Sequence, residues 1–134
     1  MESSKVMTTN PSILALGAIV FCVACEASAP EAENTIEPTV IEVATFDLAN
    51  GVDAAQFAPL DAAVERDHVS KQAGFVSRET GYTDQGAWLV IVHWESIEAA
   101  EASMASFAAA PAAADFMANL DPTTMSMTRY EIND

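Results

Sequence analysis

Histidine, tryptophan, tyrosine and arginine side chains at a few positions carry the chemistry open to this chain. His68 continues a stripe of Phe57, Leu60 and Val64, whose spacing puts all four on one side of a helix. An imidazole among apolar neighbours is a ready base for a phenolic proton, so His68 is the candidate catalytic residue. The plainer alternative is a packed, hydrogen-bonded ring at a helix end. A second group lies in Trp88-Leu-Val-Ile-Val-His-Trp94. Strand alternation sets Trp88, Val90, Val92 and Trp94 on one face and Leu89, Ile91 and His93 on the other. If both indoles line a pocket, His93 faces away from it, toward a subunit interface. Trp88, Trp94, Tyr82 and His93 are the candidate ligand-binding residues, with core packing the alternative for the tryptophans.

Other side chains are read more plainly. Arg78 and Arg129 are further polar candidates, although Arg78 and Glu79 alternate on an edge strand and read more simply as a solvated pair than as a site. Met104, Met117, Met125 and Met127 offer an adaptable apolar lining. With only two histidines, and with His93 and Glu95 sharing a face without a third ligand, no metal site is expected. No Gly-rich phosphate loop or Ser-His-Asp set appears.

The elements that must position these groups follow from periodicity and turn residues. Thr39 to Leu48 alternates and is β-branched, and Asn50-Gly51 closes it as a first strand. Asp53 caps a helix running from Ala54 to about Gln72. Ala73-Gly74 leads into a second strand, and the run from Trp88 to Glu95 is a third. Ser96 caps a helix whose buried stripe is Ile97, Ala100, Met104 and Phe107. Pro111 interrupts the alanine-rich tract that follows. Ala112 to Leu120 is a further helical piece, Asp121-Pro122 a loop, and Met125 to Ile132 the fourth strand. The order β-α-β-β-α-β predicts a ferredoxin-like α+β fold with a four-stranded antiparallel sheet. The third strand is apolar on both faces, so helices should cover one side and a second copy of the chain the other.

Composition bounds the rest. The chain has 134 residues, 51% of them hydrophobic, enough for one core. Its net charge of −15, with five Lys and Arg in all, excludes nucleic acid as a partner. Ile13 to Ala24 is an uncharged apolar run of 12 residues, short for a membrane span and suited to a signal peptide. Val23-Ala24-Cys25 then resembles a bacterial lipobox, with Ala27-Ser28-Ala29 as a competing cleavage site. Residues 1–25 are therefore expected to be a signal peptide with Cys25 as the lipidation site, 26–38 a flexible acidic tether, and 39–134 the folded domain. The protein is expected in the cell envelope as a periplasmic lipoprotein, touching membrane only through that anchor, or else secreted. Both cysteines, Cys22 and Cys25, precede the domain, which excludes disulfides and cysteine nucleophiles within it.

Ala73-Gly74-Phe75, and Trp94-Glu95-Ser96 followed by Glu98-Ala99-Ala100, resemble marks of the antibiotic-biosynthesis-monooxygenase family of dimeric α+β barrels. The resemblance spans Val40 to Ile132. It implies a homodimer with sheets face to face and a small pocket between sheet and helices. It also implies oxygenation of electron-rich aromatic compounds without a cofactor; a related branch degrades haem. The chain departs from the family at three polar positions: Val92 and Ser103 stand where many members have Glu and His, and Ala44 where the haem-degrading branch has Asn. Two readings follow: a cofactor-free monooxygenase of a small aromatic or quinol compound, with His68 as base and Trp88 and Trp94 as walls, or a non-catalytic small-ligand-binding or assembly module.

Overall fold

The computed structural model describes residues 35–134; the leader, Cys25 and most of the tether lie outside them. Strand β1 (Val40–Leu48) is followed by helix α1 (Ala54–Asp67) and a short 3-10 turn (Val69–Lys71). Strands β2 (Phe75–Tyr82) and β3 (Ala87–Trp94), helices α2 (Ile97–Phe107) and α3 (Pro111–Ala118), and strand β4 (Leu120–Glu131) complete the domain. The four strands form one antiparallel sheet in the order β2-β3-β1-β4. This is the α+β, ferredoxin-like arrangement that the element order predicts.

Alternation decides which face is covered. Along β3, Trp88, Val90, Val92 and Trp94 are buried under the helices, while Ala87, Leu89, Ile91 and His93 are half-exposed on the helix-free face. Beneath the helices Phe57, fully buried, packs edge-on against Phe46 and Trp88, with ring centroids 5.7 and 4.9 Å apart. Phe116 from α3 closes the cluster at 5.1 Å from Phe57 and 5.5 Å from Phe46. Each such pair adds on the order of 1 kcal/mol to the burial of its rings.

Caps fix the helix starts. Asp53 and Gln56 form a reciprocal capping box on α1, each side chain accepting the other's backbone N–H at 2.8 and 2.9 Å. Ser96 Oγ accepts from Ala99 N on α2.

Three boundaries differ from expectation. Helix α1 ends at Asp67 rather than near Gln72, because His68 leaves helical geometry at φ −131° and the chain tightens into i→i+3 bonds. Pro111 does not interrupt a helix but starts one, at a position where its missing N–H has no partner to lose. Strand β4 begins at Leu120 instead of Met125, and the expected Asp121-Pro122 loop is a bulge within it. There Pro122, Thr123, Thr124 and Met125 stand opposite Phe46 alone. Pro122 is tolerated because β4 is an edge strand. Thr124 Oγ1 closes the bulge, accepting from Asp47 N at 2.8 Å and donating to the Asp121 carbonyl at 2.7 Å. The hydroxyl of Thr123, and then its N–H, hold the exposed Asp121 carboxyl below the usual aspartate range.

Gly74 joins the two segments that carry the family resemblance. It adopts φ +80°, its carbonyl accepts from Glu95 N at 2.8 Å, and a Cβ placed on it would lie 2.5 Å from the Ala99 Cβ. Strand β2 and the first turn of α2 can touch here only because that atom is missing. Gly74→Ala is therefore expected to destabilise the domain by about 2 kcal/mol or more, through backbone strain and the clash together. Denaturant unfolding measures it; an unchanged midpoint would contradict this packing.

Candidate functional site

Between the sheet and the helices lies a cavity of about 190 Å³. Its floor is the helix-side surface of β1, β3 and β4, with Ala44, Val90, Val92 and Trp94 exposed to it. Its roof comes from Val64, Phe107, Phe116 and Met117. Met104 and Met127 line it and are 40% and 39% exposed, so the cavity opens to solvent between α2 and β4. The lining is overwhelmingly apolar, and an engineered apolar cavity of ~150 Å³ is enough for benzene.

Charged groups enter this wall at two places. Arg78 on β2 was expected to be a solvated partner of Glu79. Its side chain is instead 2% exposed and lines the cavity. Asp61 on α1 draws it inward: Nη2 and Nη1 donate to the two Asp61 carboxylate oxygens at 2.6 and 3.0 Å. Glu65, one turn further along α1, accepts from Nη1 at 3.4 Å. A bidentate pair of this kind ties α1 to β2 and compensates a buried charge at both ends. Its Nε is also buried and has no partner among the described residues. On β1, Glu42 is 7% exposed and lines the same cavity. Arg129 Nε on β4 donates to its Oε2 at 2.6 Å.

Register places these groups in one line. Arg78 pairs across the sheet with Val92, Val92 with Glu42, and Glu42 with Arg129. A guanidinium, an isopropyl group and a carboxylate thus cross the floor of the cavity, with the second guanidinium, outside the lining, next in the row.

The residues singled out from sequence spread over three environments. Trp94 lines the cavity, is 1% exposed, and has a buried indole N–H without a partner. Trp88 lies outside the lining, packed against Phe57 and stacked on the exposed Tyr82 ring at 5.4 Å. His93 is on the helix-free face, where Nδ1 meets Ser77 Oγ at 3.2 Å. His68 is buried but also outside the cavity lining. Its Nε2 is 3.2 Å from the Ser103 carbonyl and its Nδ1 is 3.4 Å from Gln72 Nε2. A carbonyl only accepts and an amide NH₂ only donates, so these contacts select the tautomer protonated on Nε2. The ring also packs edge-on against Phe107 at 5.8 Å. It links the end of α1 to α2 behind the wall.

Glu42 and Asp61 were not foreseen as site residues, and Arg78, though a polar candidate, was read as solvated; the two acids nevertheless carried a signal. Glu42 falls in the inward phase of β1 with Val40, Ala44 and Phe46, and Asp61 falls between Phe57 and Val64 on the apolar stripe of α1. An acid in an apolar phase asks for a buried cation. Among the described residues, no three of His, Cys, Asp and Glu group closely enough to hold a metal ion. No helix among them is long and apolar enough to cross a membrane.

Removing one partner of the ion pair should cost more than removing both. Asp61→Ala is expected to lower the unfolding free energy by about 3 kcal/mol, and Asp61→Leu combined with Arg78→Met to recover most of it. His68→Ala, which leaves a cavity, should cost roughly 1 to 3 kcal/mol. Urea titrations of the variants check these values; a harmless Asp61→Ala would contradict the ion pair.

No protein-family model and no curated protein matches the chain. Solved structures do. SnoaB, a cofactor-independent oxygenase from Streptomyces nogalater, is 18% identical with a TM-score of 0.60, over 73% of this chain and 96% of SnoaB. PA3566 from Pseudomonas aeruginosa is 17% identical with a TM-score of 0.53, over 74% of this chain and 98% of its own. Rv0793 from Mycobacterium tuberculosis is 19% identical with a TM-score of 0.53, over 71% and 95%. With its helices on one face of the β2-β3-β1-β4 sheet, the chain shares the ferredoxin-like α+β fold of SnoaB and these neighbours.

Proposed function

We propose that this protein binds a small aromatic or quinol-type molecule in the cavity and oxidises it with O₂ without a cofactor. The observation that carries the reading is the apolar cavity itself, open at Met104 and Met127 and supplied with a few polar atoms on its floor. The likeness to a cofactor-independent oxygenase supports the same chemistry. In such a reaction a quinol and O₂ give a hydroxyquinone and water: one oxygen atom enters a ring C–H, the other leaves as water, and the quinol itself supplies the electrons, so the atoms balance without an external reductant. The chain's part is to exclude water, hold the ionised substrate against Trp94, and keep it open to O₂. His68, with both ring nitrogens engaged behind the wall, is better suited to packing than to taking the substrate proton. That observation favours the second reading, a non-catalytic binding module using the same cavity.

The helix-free face presents Ile41, Val43, Leu89 and Ile91, half-exposed in a single chain, with Tyr130 beside them. A second copy, sheet against sheet, is the proposed cover. A stable pair would bury roughly 2,000 Å² in total. We further propose that residues 1–25 export the protein and that Cys25 anchors it by a lipid in the cell envelope.

Ala44→Phe, which fills the cavity floor, is expected to abolish quenching of tryptophan fluorescence by the one-ring quinol hydroquinone while the protein still sediments as a dimer. Oxygen uptake above the spontaneous rate should disappear with it. Quenching without oxygen uptake in the wild type would leave the binding module as the function, and no quenching at all would overturn both readings. For the anchor, the wild type should fractionate with bacterial membranes and Cys25→Ser should not be lipidated; soluble wild type with its leader intact would refute the localisation.

A further inference from the structure

The polar atoms of the cavity floor are not equivalent. Arg78 engages both terminal nitrogens with Asp61 and Glu65, which leaves Nε as a buried donor without a partner among the described residues, on a side chain that lines the cavity. Trp94 Nε1 is a second such donor on a lining residue, and Trp88 Nε1, outside the lining, is a third. Glu42 offers the opposite character. Its Oε2 is held by Arg129, and its Oε1 has no hydrogen bond among the described residues. Buried donors left unpaired are uncommon in native proteins and costly to keep, so two of them on residues that line one cavity point to a missing acceptor. The donor side and the acceptor side are separated by Val92, which pairs with both Arg78 and Glu42. Two strand spacings put the two Cα positions about 10 Å apart, a span on the scale of a one-ring molecule.

We propose that the site selects a flat, one-ring molecule carrying a carbonyl-type acceptor oxygen at one end and a hydroxyl at the other. The acceptor would meet Arg78 Nε and the indole N–H of Trp94, the hydroxyl would donate to Glu42 Oε1, and the ring would lie over Val92. This rests on the reading of the cavity as a small-molecule site and specifies its ligand class. Arg129 and Asp61 act as positioning residues: each holds the charged partner that meets the ligand, without touching the ligand itself. The two salt bridges thereby fix which end of the ligand goes where.

Titration calorimetry of the full-length protein with four probes in mildly acidic buffer, which keeps the hydroxyl protonated, tests the assignment. The probes are 4-hydroxyacetophenone, acetophenone, phenol and toluene. The first should bind roughly tenfold or more tighter than acetophenone or phenol, since each lost hydrogen bond leaves a buried polar atom unsatisfied. Glu42→Leu should reduce 4-hydroxyacetophenone to the affinity of acetophenone and leave toluene unchanged. Equal binding of all four probes by the wild type would overturn the polar assignment while the cavity reading stands. Failure of every probe, toluene included, would overturn the cavity reading and this assignment with it. The wild-type series decides the matter even if the variant does not fold.

Discussion

The ion pair between Arg78 and Asp61 is the constraint on which the site depends. A guanidinium 2% exposed can persist only with its charge met, and Asp61 meets it with two hydrogen bonds from a helix that crosses above the strand. The pair therefore sets where α1 lies over β2 and turns the arginine inward along the sheet. Because both terminal nitrogens have acceptors, Nε is the guanidinium nitrogen left without a partner among the described residues, on a side chain that lines the cavity. Structure and chemistry are linked through a single side chain.

Around that fixed point the packing is divided. At one end of the layer, Phe46, Phe57, Trp88 and Phe116 interlock edge to face and leave no room for a ligand. Toward the other, Ala44, Val90 and Val92 are too short to fill the space under α2 and α3, and methionines border the opening. Methionine side chains adapt to different shapes, which suits a mouth that must admit a molecule and close over it. A dry wall also strengthens any hydrogen bond made on the floor, since competing water is kept away.

Much of the frame was legible in the residues. The alternation of β3 identified a central strand and put His93 opposite Trp94, and Asp53 and Ser96 marked the helix starts. The polar floor was less accessible. Arg78 looks solvated beside Glu79 because its partner, Asp61, is 17 residues away on another element. Glu42 was visible as an acid in an apolar phase, but its meaning required the register that pairs it with Val92 and Arg129. The resemblance led one to look for an acid at Val92; the carboxylate stands one strand over, at the position paired with it. His68 shared a helical phase with core residues, yet the break after Asp67 carries its ring behind the cavity wall, to the Ser103 carbonyl. Strand β4 was shortened in expectation because Pro122 reads as a loop when an edge position is not known in advance.

The claim that the cavity floor is a donor-and-acceptor site can be read directly from side-chain N–H resonances. With ¹⁵N-labelled protein, addition of 4-hydroxyacetophenone is predicted to shift the Trp94 indole and Arg78 Nε–H signals while the Trp88 indole, outside the cavity, stays in place. If Trp94 and Arg78 do not respond, or if Trp88 moves as much as they do, the ligand is not where this account puts it.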